Sequence, residues 1–196
     1  MPRIKGANIA AHVAQQEAAV FDAAVSLFIE HGYEQVTLGD IAAKIGLARN
    51  SLYRYFPDKA HILLRWFEQE VPHQVDRATA ILGGPGAPAD RLRAWARDQI
   101  DYAAQPEHEL ISKIGVLLPE LDPESRAQLA AAHEESMRPL LDVLGEAGVA
   151  ENDRQLVAQM IYGLVMSAAR VSEADAQTAD RAMTHLDNAI GGLLRG

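Results

Sequence analysis

Apolar positions recur at spacings of three and four along most of the chain, and no stretch alternates apolar and polar with period two. The pattern predicts an all-α protein. Residues 1–12 read as a loose arm carrying Arg3 and Lys5. A first helix is expected over 13–31, with Val20, Ala24, Leu27 and Phe28 as its inward stripe and Gly32 as its stop. A long helix should start at Asp58 or Lys59 and reach 82, with a kink or break at Pro72. Gly83-Gly84-Pro85-Gly86-Ala87-Pro88 is the clearest loop. Asp90 is placed to cap a helix to 104, and Pro106 suits the first turn of one over 107–118, stopped by Pro119. Asp122-Pro123 is a cap followed by a first-turn proline, opening a helix to 146 that Pro139 bends. Two more helices, 152–171 and 174–194, complete the pattern.

The densest set of signals lies at residues 37–59, TLGDIAAKIGLARNSLYRYFPDK. Thr37 and Asp40 form a variant capping box. Leu38, Ile41, Ala42 and Ile45 give one apolar face, and Gly46 can take positive φ and end the helix in one residue. A second helix, over 48–55, turns Leu52 and Phe56 inward and leaves Arg49, Asn50, Ser51, Tyr53 and Tyr55 for other faces. Pro57 ends it. This is a helix-turn-helix pattern, whose second helix enters the DNA major groove. Arg49 and Asn50 can bond base edges, while Ser51, Tyr53, Tyr55 and Lys59 suit phosphates. Lys44, Arg49, Arg54 and Lys59 place a cation every five residues.

Leu52-Tyr53-Arg54-Tyr55-Phe56-Pro57-Asp58-Lys59, preceded by Ile41-Ala42 and Gly46-Leu47, resembles the signature of the tetracycline-repressor (TetR) family. The likeness extends upstream through Ala23-Ala24, Leu27-Phe28, Gly32-Tyr33 and Val36-Thr37, so it covers about residues 15–62. It implies an N-terminal three-helix DNA-binding domain (1–58, including the arm) and a helical ligand-binding and dimerisation domain (59–196). It implies a cytoplasmic repressor, not an enzyme, that holds a palindromic operator as a homodimer and releases it when a small molecule binds. Residues at the positions of Thr37, Ala48, Arg49, Asn50, Ser51, Tyr53, Tyr55 and Lys59 are the expected DNA-binding set. Two departures stand out: Gly39 replaces the basic or polar side chain of many members, and Ala48 the more usual serine cap.

A net charge of −9 argues at first against DNA, but its distribution does not. Residues 1–60 carry six Lys/Arg against six Asp/Glu, whereas residues 61–196 carry 12 against 21. A local positive face is enough for phosphate. The chain has no cysteine, which excludes disulfides, thiolate metal sites and a cysteine nucleophile. The N-terminal residues lack the apolar run of a signal peptide, and no stretch approaches the roughly 20 apolar residues of a membrane span. The seven histidines show no zinc-protease spacing and no cofactor motif is present, so neither metal nor cofactor is expected.

For the ligand, Trp66, Trp95, Tyr102, Met137, Tyr162 and Met166 are the residue types that line apolar pockets, and equally the types that fill cores. The dimer has a firmer basis. Leu156, Val157, Met160, Ile161, Leu164, Val165, Ala168 and Ala169 cover more of one helix than a single core can bury. Ser167 and Ala168 are small enough for close approach, and Met183, Leu186, Ile190 and Leu193 form a seam at spacings of three, four and three. The expected interface is Met160, Leu164, Ser167, Ala168 and that seam, in a four-helix bundle about a two-fold axis. The alternative is that the seam closes the chain's own core. A DNA-binding regulator without a small-molecule ligand, and an all-helical enzyme or adaptor, are the other functional readings; the second leaves residues 49–59 without a role.

Overall fold

The computed structural model describes residues 3–53, 55–106, 108, 110, 111, 113, 121–172 and 175–195. Among these the chain is all-α: α1 (Arg3–His31), a 3-10 turn (Tyr33–Gln35), α2 (Leu38–Lys44), α3 (Arg49–Leu52), α4 (Lys59–Leu82), α5 (Pro88–Ala103), α6 (Pro123–Glu146), α7 (Glu151–Ser172) and α8 (Ala176–Leu193). Residues 106, 108, 110, 111 and 113 are also helical. Pro119, and the expected helix end near it, lie outside the described residues, as do Arg54 and Ala174.

The chain forms two compact units. The first comprises residues 1–69 and 109–125, the second 70–108 and 126–196. Where the sequence suggested a boundary at 58/59, this division falls inside α4. The start of a helix marks a change of secondary structure, whereas packing follows side chains, and Ile62, Leu63, Leu64 and Trp66 are buried within the first unit.

In the first unit α1 packs on the 3-10 turn and on α2, and α2 on α3. Val20, Phe21, Ala24, Phe28, Tyr33, Ile41, Leu52 and Phe56 are buried. Phe21 meets Phe56 edge-on at 5.6 Å, and Phe28 meets Tyr33 at 5.0 Å between ring centroids. Thr37 and Asp40 close the capping box: Asp40 N–H donates to Thr37 Oγ1 at 3.3 Å, and Thr37 N–H to Asp40 Oδ2 at 2.8 Å. Gly46 takes φ 70° and turns the chain out of α2, as expected.

In the second unit the end of α4 joins α5 to α8 around one core, centred on Leu82, Leu92, Trp95, Leu140, Leu144, Ile161, Val165, Leu186 and Ile190. The buried Arg91 donates from Nη1 to the Leu82 carbonyl at 2.6 Å and from Nη2 to Glu146, satisfying a carbonyl at the end of α4.

Several boundaries differ from expectation. The helix over 13–31 begins instead at Arg3, because residues 3–12 contain no proline and only one glycine, whose cost of about 1 kcal/mol does not stop a helix. Pro72 does not break its helix, and Pro139, as expected, lies within one; each removes one hydrogen bond, and buried residues such as Val71 and Ala78 flank the first. Asp90 is not the cap of α5. Pro88 occupies the first turn and Ala87 the cap, which moves Asp90 into that turn, where a carboxylate suits the helix dipole. Asp122 caps α6 as predicted, accepting from the amides of Glu124 and Ser125 at 3.0 Å each. Asp175 caps α8, which starts at Ala176 where about 174 was expected, and accepts from Thr178 N–H at 2.8 Å.

Candidate nucleic-acid interface

The recognition segment is shorter than its spacing suggested. Only Arg49–Leu52 is α-helix, and Tyr53 is its C-cap; the amides of Tyr55 and Phe56 both return to the Leu52 carbonyl. Leu52 and Phe56 anchor the segment in the core at 0% and 3% exposure. Ala48 stands at the N-cap with no side-chain bond to offer, so the N-terminal amides of α3 lack the usual side-chain acceptor.

Thr37, Ala48, Arg49, Asn50, Tyr53 and Tyr55 are exposed, and Ser51 is half-buried. Arg49 Nη2 donates to the Tyr53 hydroxyl at 3.0 Å, and its guanidinium lies 5.6 Å from the Tyr53 ring centroid. This pairing pre-orients a planar fork at the protein surface. A Cβ added at Gly39 would stand 3.8 Å from Arg49 Cδ and 3.4 Å from Thr37 Oγ1, so the stem of Arg49 runs beside the bare glycine. The capping box also sets the state of Asp40. Bonds from the Thr37 side chain and then its amide hold the carboxyl below its usual range, so it stays anionic.

The five-residue rhythm of cations does not make a row of free charges. Lys44 Nζ donates to Ser26 Oγ at 2.6 Å and lies 3.5 Å from Glu30, tying α2 to α1. Lys59 Nζ donates to the carbonyls of Tyr33 and Glu34 at 2.7 and 3.2 Å and lies 4.3 Å from the centroid of the Tyr33 ring. Periodicity along the sequence cannot show where a flexible side chain ends.

Residues 20–65 match the family described as "Bacterial regulatory proteins, tetR family". Over that segment the chain is similar to TetR-family regulators. Among curated relatives, the HTH-type transcriptional repressor KstR of Mycolicibacterium smegmatis is 38% identical over 77 residues, 37% of this chain and 36% of that protein. The chain spans about a third of the length of the curated relatives it matches, and 30% of the first of them. The fold likeness extends further than the sequence likeness. A TetR-family transcriptional regulator from Pectobacterium atrosepticum superposes with a TM-score of 0.65 at 26% identity, covering 95% of each chain. The regulator FadR from Bacillus subtilis, solved in complex with stearoyl-CoA, has a TM-score of 0.64 at 23% identity, covering 90% of this chain and 96% of that one. TetR-family matches therefore account for the DNA-binding segment by sequence and for the helical architecture by fold.

The residues named for a ligand pocket scatter. Trp66 is 7% exposed and belongs to the first unit, whereas it was expected in the regulatory domain that begins at residue 59. Trp95 and Met137 are core residues of the second unit, and Met166 is half-buried against that core. Tyr102 is buried and meets the His108 ring edge-on at 5.6 Å, whereas Tyr162 lies 39% exposed on α7. None of the six lines the open groove of about 310 Å³ formed by Val75, Thr79 and Leu82 of α4 with Arg138, Pro139 and Val143 of α6. Its rim also carries Glu135, Asp142 and Glu146. Sequence reading sought aromatic residues and missed a groove built mainly from aliphatic and charged ones.

The named dimer residues divide as well. Met160 is 46% exposed, Leu164 38%, and Ser167 is exposed. Ala168, Leu186 and Ile190 are buried in the chain's own core, with Met183 and Leu193 half-buried against it. The α8 seam faces inward, because α8 closes the core with α5 and α7. What remains open is a stripe along α7, Leu156, Met160, Leu164, Ser167 and Val171, spaced at four, four, three and four. A shallow groove between this stripe and α8 is lined by Leu164, Ser167, Val171, Ala182, His185 and Ala189. Among the described residues no helix is long and apolar enough to cross a membrane, and no group of three or more His, Cys, Asp or Glu is placed to hold a metal ion.

Proposed function

We propose that this chain is a cytoplasmic TetR-family transcriptional repressor that grips a palindromic DNA operator as a homodimer and releases it on binding a small molecule. The exposed polar face of α3 carries this reading. Arg49, held by Tyr53, and Asn50 read base edges, while Thr37, Ser51, Tyr53 and Tyr55 position the backbone, with Ala48 allowing close approach. The residues up to 58 act as the DNA-reading domain and the rest as the regulatory and dimerisation domain. The second copy covers the α7 stripe, since four large apolar side chains in one row are a surface that water does not favour. Two-fold pairing presents two recognition segments to the two halves of a palindrome.

Effector control rests on the α4–α6 groove, whose volume falls at the lower end of the small-molecule range of about 300–1,000 Å³. The stearoyl-CoA bound by the Bacillus subtilis relative makes fatty-acyl thioesters the first compounds to try. One observation favours a regulator without a ligand: Trp95 and Met137, two of the expected pocket residues, are buried members of this unit's core and do not line the groove.

Selection of bound duplexes from a random pool by the full chain tests the proposal. Enrichment of an inverted repeat is the expected result, and a pool that stays random after several rounds would refute it. Titration of the enriched complex with acyl-CoA should then release the DNA, because a ligand that favours the unbound state must weaken the bound one.

A further inference from the structure

The ammonium of Lys59 is committed inside its own domain. It gives two of its three donors to the carbonyls of Tyr33 and Glu34, at 2.7 and 3.2 Å, across 26 and 25 residues of sequence. It also lies over the Tyr33 ring, 4.3 Å from the centroid, and that ring is 4% exposed and packs on Phe28. A cation–π contact of this kind gains strength as it is desolvated.

The two ends that this side chain joins are the entry and exit of the helix-turn-helix. Tyr33 and Glu34 belong to the 3-10 turn that leads through Val36 into Thr37, the N-cap of α2. Lys59 opens α4, directly after the recognition segment and the Asp58 cap, whose Oδ1 accepts from His61 N–H at 2.9 Å. A cation in the first turn of a helix is opposed by the helix dipole, and the acid nearest to it at this end, Asp58, is bonded to His61. The two carbonyls and the ring face supply the compensation. The two carbonyls take two of the three ammonium donors, which leaves at most one for a DNA phosphate.

We propose that Lys59 is a positioning residue that closes the base of the helix-turn-helix and sets the angle at which α3 is presented, rather than a phosphate contact. The affinity consequence rests on the DNA-binding reading above; the stability consequence does not.

The test compares the full-length chain with Lys59→Met and Lys59→Arg. Each is titrated with the enriched operator and with a random-sequence duplex over a salt series, well below its thermal midpoint. Lys59→Met should lower the midpoint by several degrees. It should weaken operator binding on the order of tenfold and random-duplex binding by less than about twofold, with the salt slope unchanged. Lys59→Arg, which keeps donors and charge for the two carbonyls, should restore most of the specific affinity. A salt slope reduced by about one unit, or equal losses on both duplexes, would mean that the ammonium reaches a phosphate and would overturn the proposal. Unchanged affinity on both duplexes would overturn it too. If Lys59→Met does not fold, the clamp is supported, and the slope and duplex ratio of Lys59→Arg decide between clamp and phosphate contact. Should the unmutated chain bind no duplex, the DNA reading fails, and an unchanged midpoint in Lys59→Met would separately remove the clamp.

Discussion

The surface of α3 and the outer stripe of α7 are both open to water, yet their chemistry is opposite. Arg49, Asn50 and Tyr53 expose groups that can bond water or a nucleic acid equally well, so leaving them open costs little. Leu156, Met160, Leu164 and Val171 expose apolar area, at 57%, 46%, 38% and 46% of each residue. Such area is worth roughly 25 cal/mol per Å² when covered. One face suits a wet, charged partner and tolerates solitude; the other would gain stability from being covered. The two faces therefore respond differently to mutation. Changes on α3 should alter what is bound, whereas changes on α7 should alter whether two copies act together.

The largest effect is expected on α7. Leu164→Glu places a charge in the stripe without entering the core, so the helices and thermal midpoint of the isolated chain should survive. Operator affinity should fall by a factor on the order of 10² or more, because two linked half-site contacts become two independent ones. Titration by fluorescence anisotropy, with circular dichroism as the folding control, checks this. Full affinity in Leu164→Glu would erase the distinction between the faces.

Arg49→Ala should cost about 1–3 kcal/mol of operator binding and relax preference at one position in each half-site. Repeating the duplex selection with the variant reads this directly; a uniform loss across sequences would demote Arg49 to a backbone contact. Thr37→Ala should be milder. It removes one half of the capping box at the start of α2, at about 1 kcal/mol of stability, seen as a fall of a few degrees in the melting midpoint.

The smallest effect is on acid stability, and it does not distinguish the faces. Hydrogen bonds from Ser125 hold the Asp122 carboxyl below its usual range, and those from Thr178 do the same for Asp175. A carboxyl whose folded pKa is depressed stabilises the fold above its ordinary titration range and loses that contribution as pH falls through the depressed value. Melting midpoints should thus drop below about pH 4, and Asp175→Asn should flatten that part of the curve; an unchanged curve would mean that the α8 cap contributes nothing.

How much of this was legible in the sequence differs between the same two regions. Around α3 the information is local. A cap at Thr37, a box partner three residues on, a glycine at 46 and a proline at 57 each dictate backbone conformation at their own position, so spacing places the elements even though it overstates the length of α3. Lys59 is the exception, because its partners lie 25 and 26 residues away and nothing local points to them. Around α7 the information is relational. Apolar residues on nearly all sides told that more than one surface must cover the helix, but not which residues faced which. The α8 seam of Met183, Leu186, Ile190 and Leu193 has the spacing of an interface and serves as core, and Trp66 has the chemistry of a pocket and packs in the other unit. Aromatic and aliphatic residues do the same work in a core and in a cavity, so residue type cannot separate the two. The groove between α4 and α6 was invisible for the converse reason, since Arg138, Asp142 and Glu146 read as an ordinary solvated face until the facing helix is in place.

The central claim is that the α7 stripe pairs two chains and that the pair, not the single chain, reads DNA. Sedimentation of the full chain with a duplex of operator length tests it most directly, by counting protomers per duplex. Two protomers should be carried by the unmutated chain at micromolar concentration, and one by Leu164→Glu at concentrations high enough to bind. A single unmutated protomer on the duplex, or two of Leu164→Glu, would contradict the account.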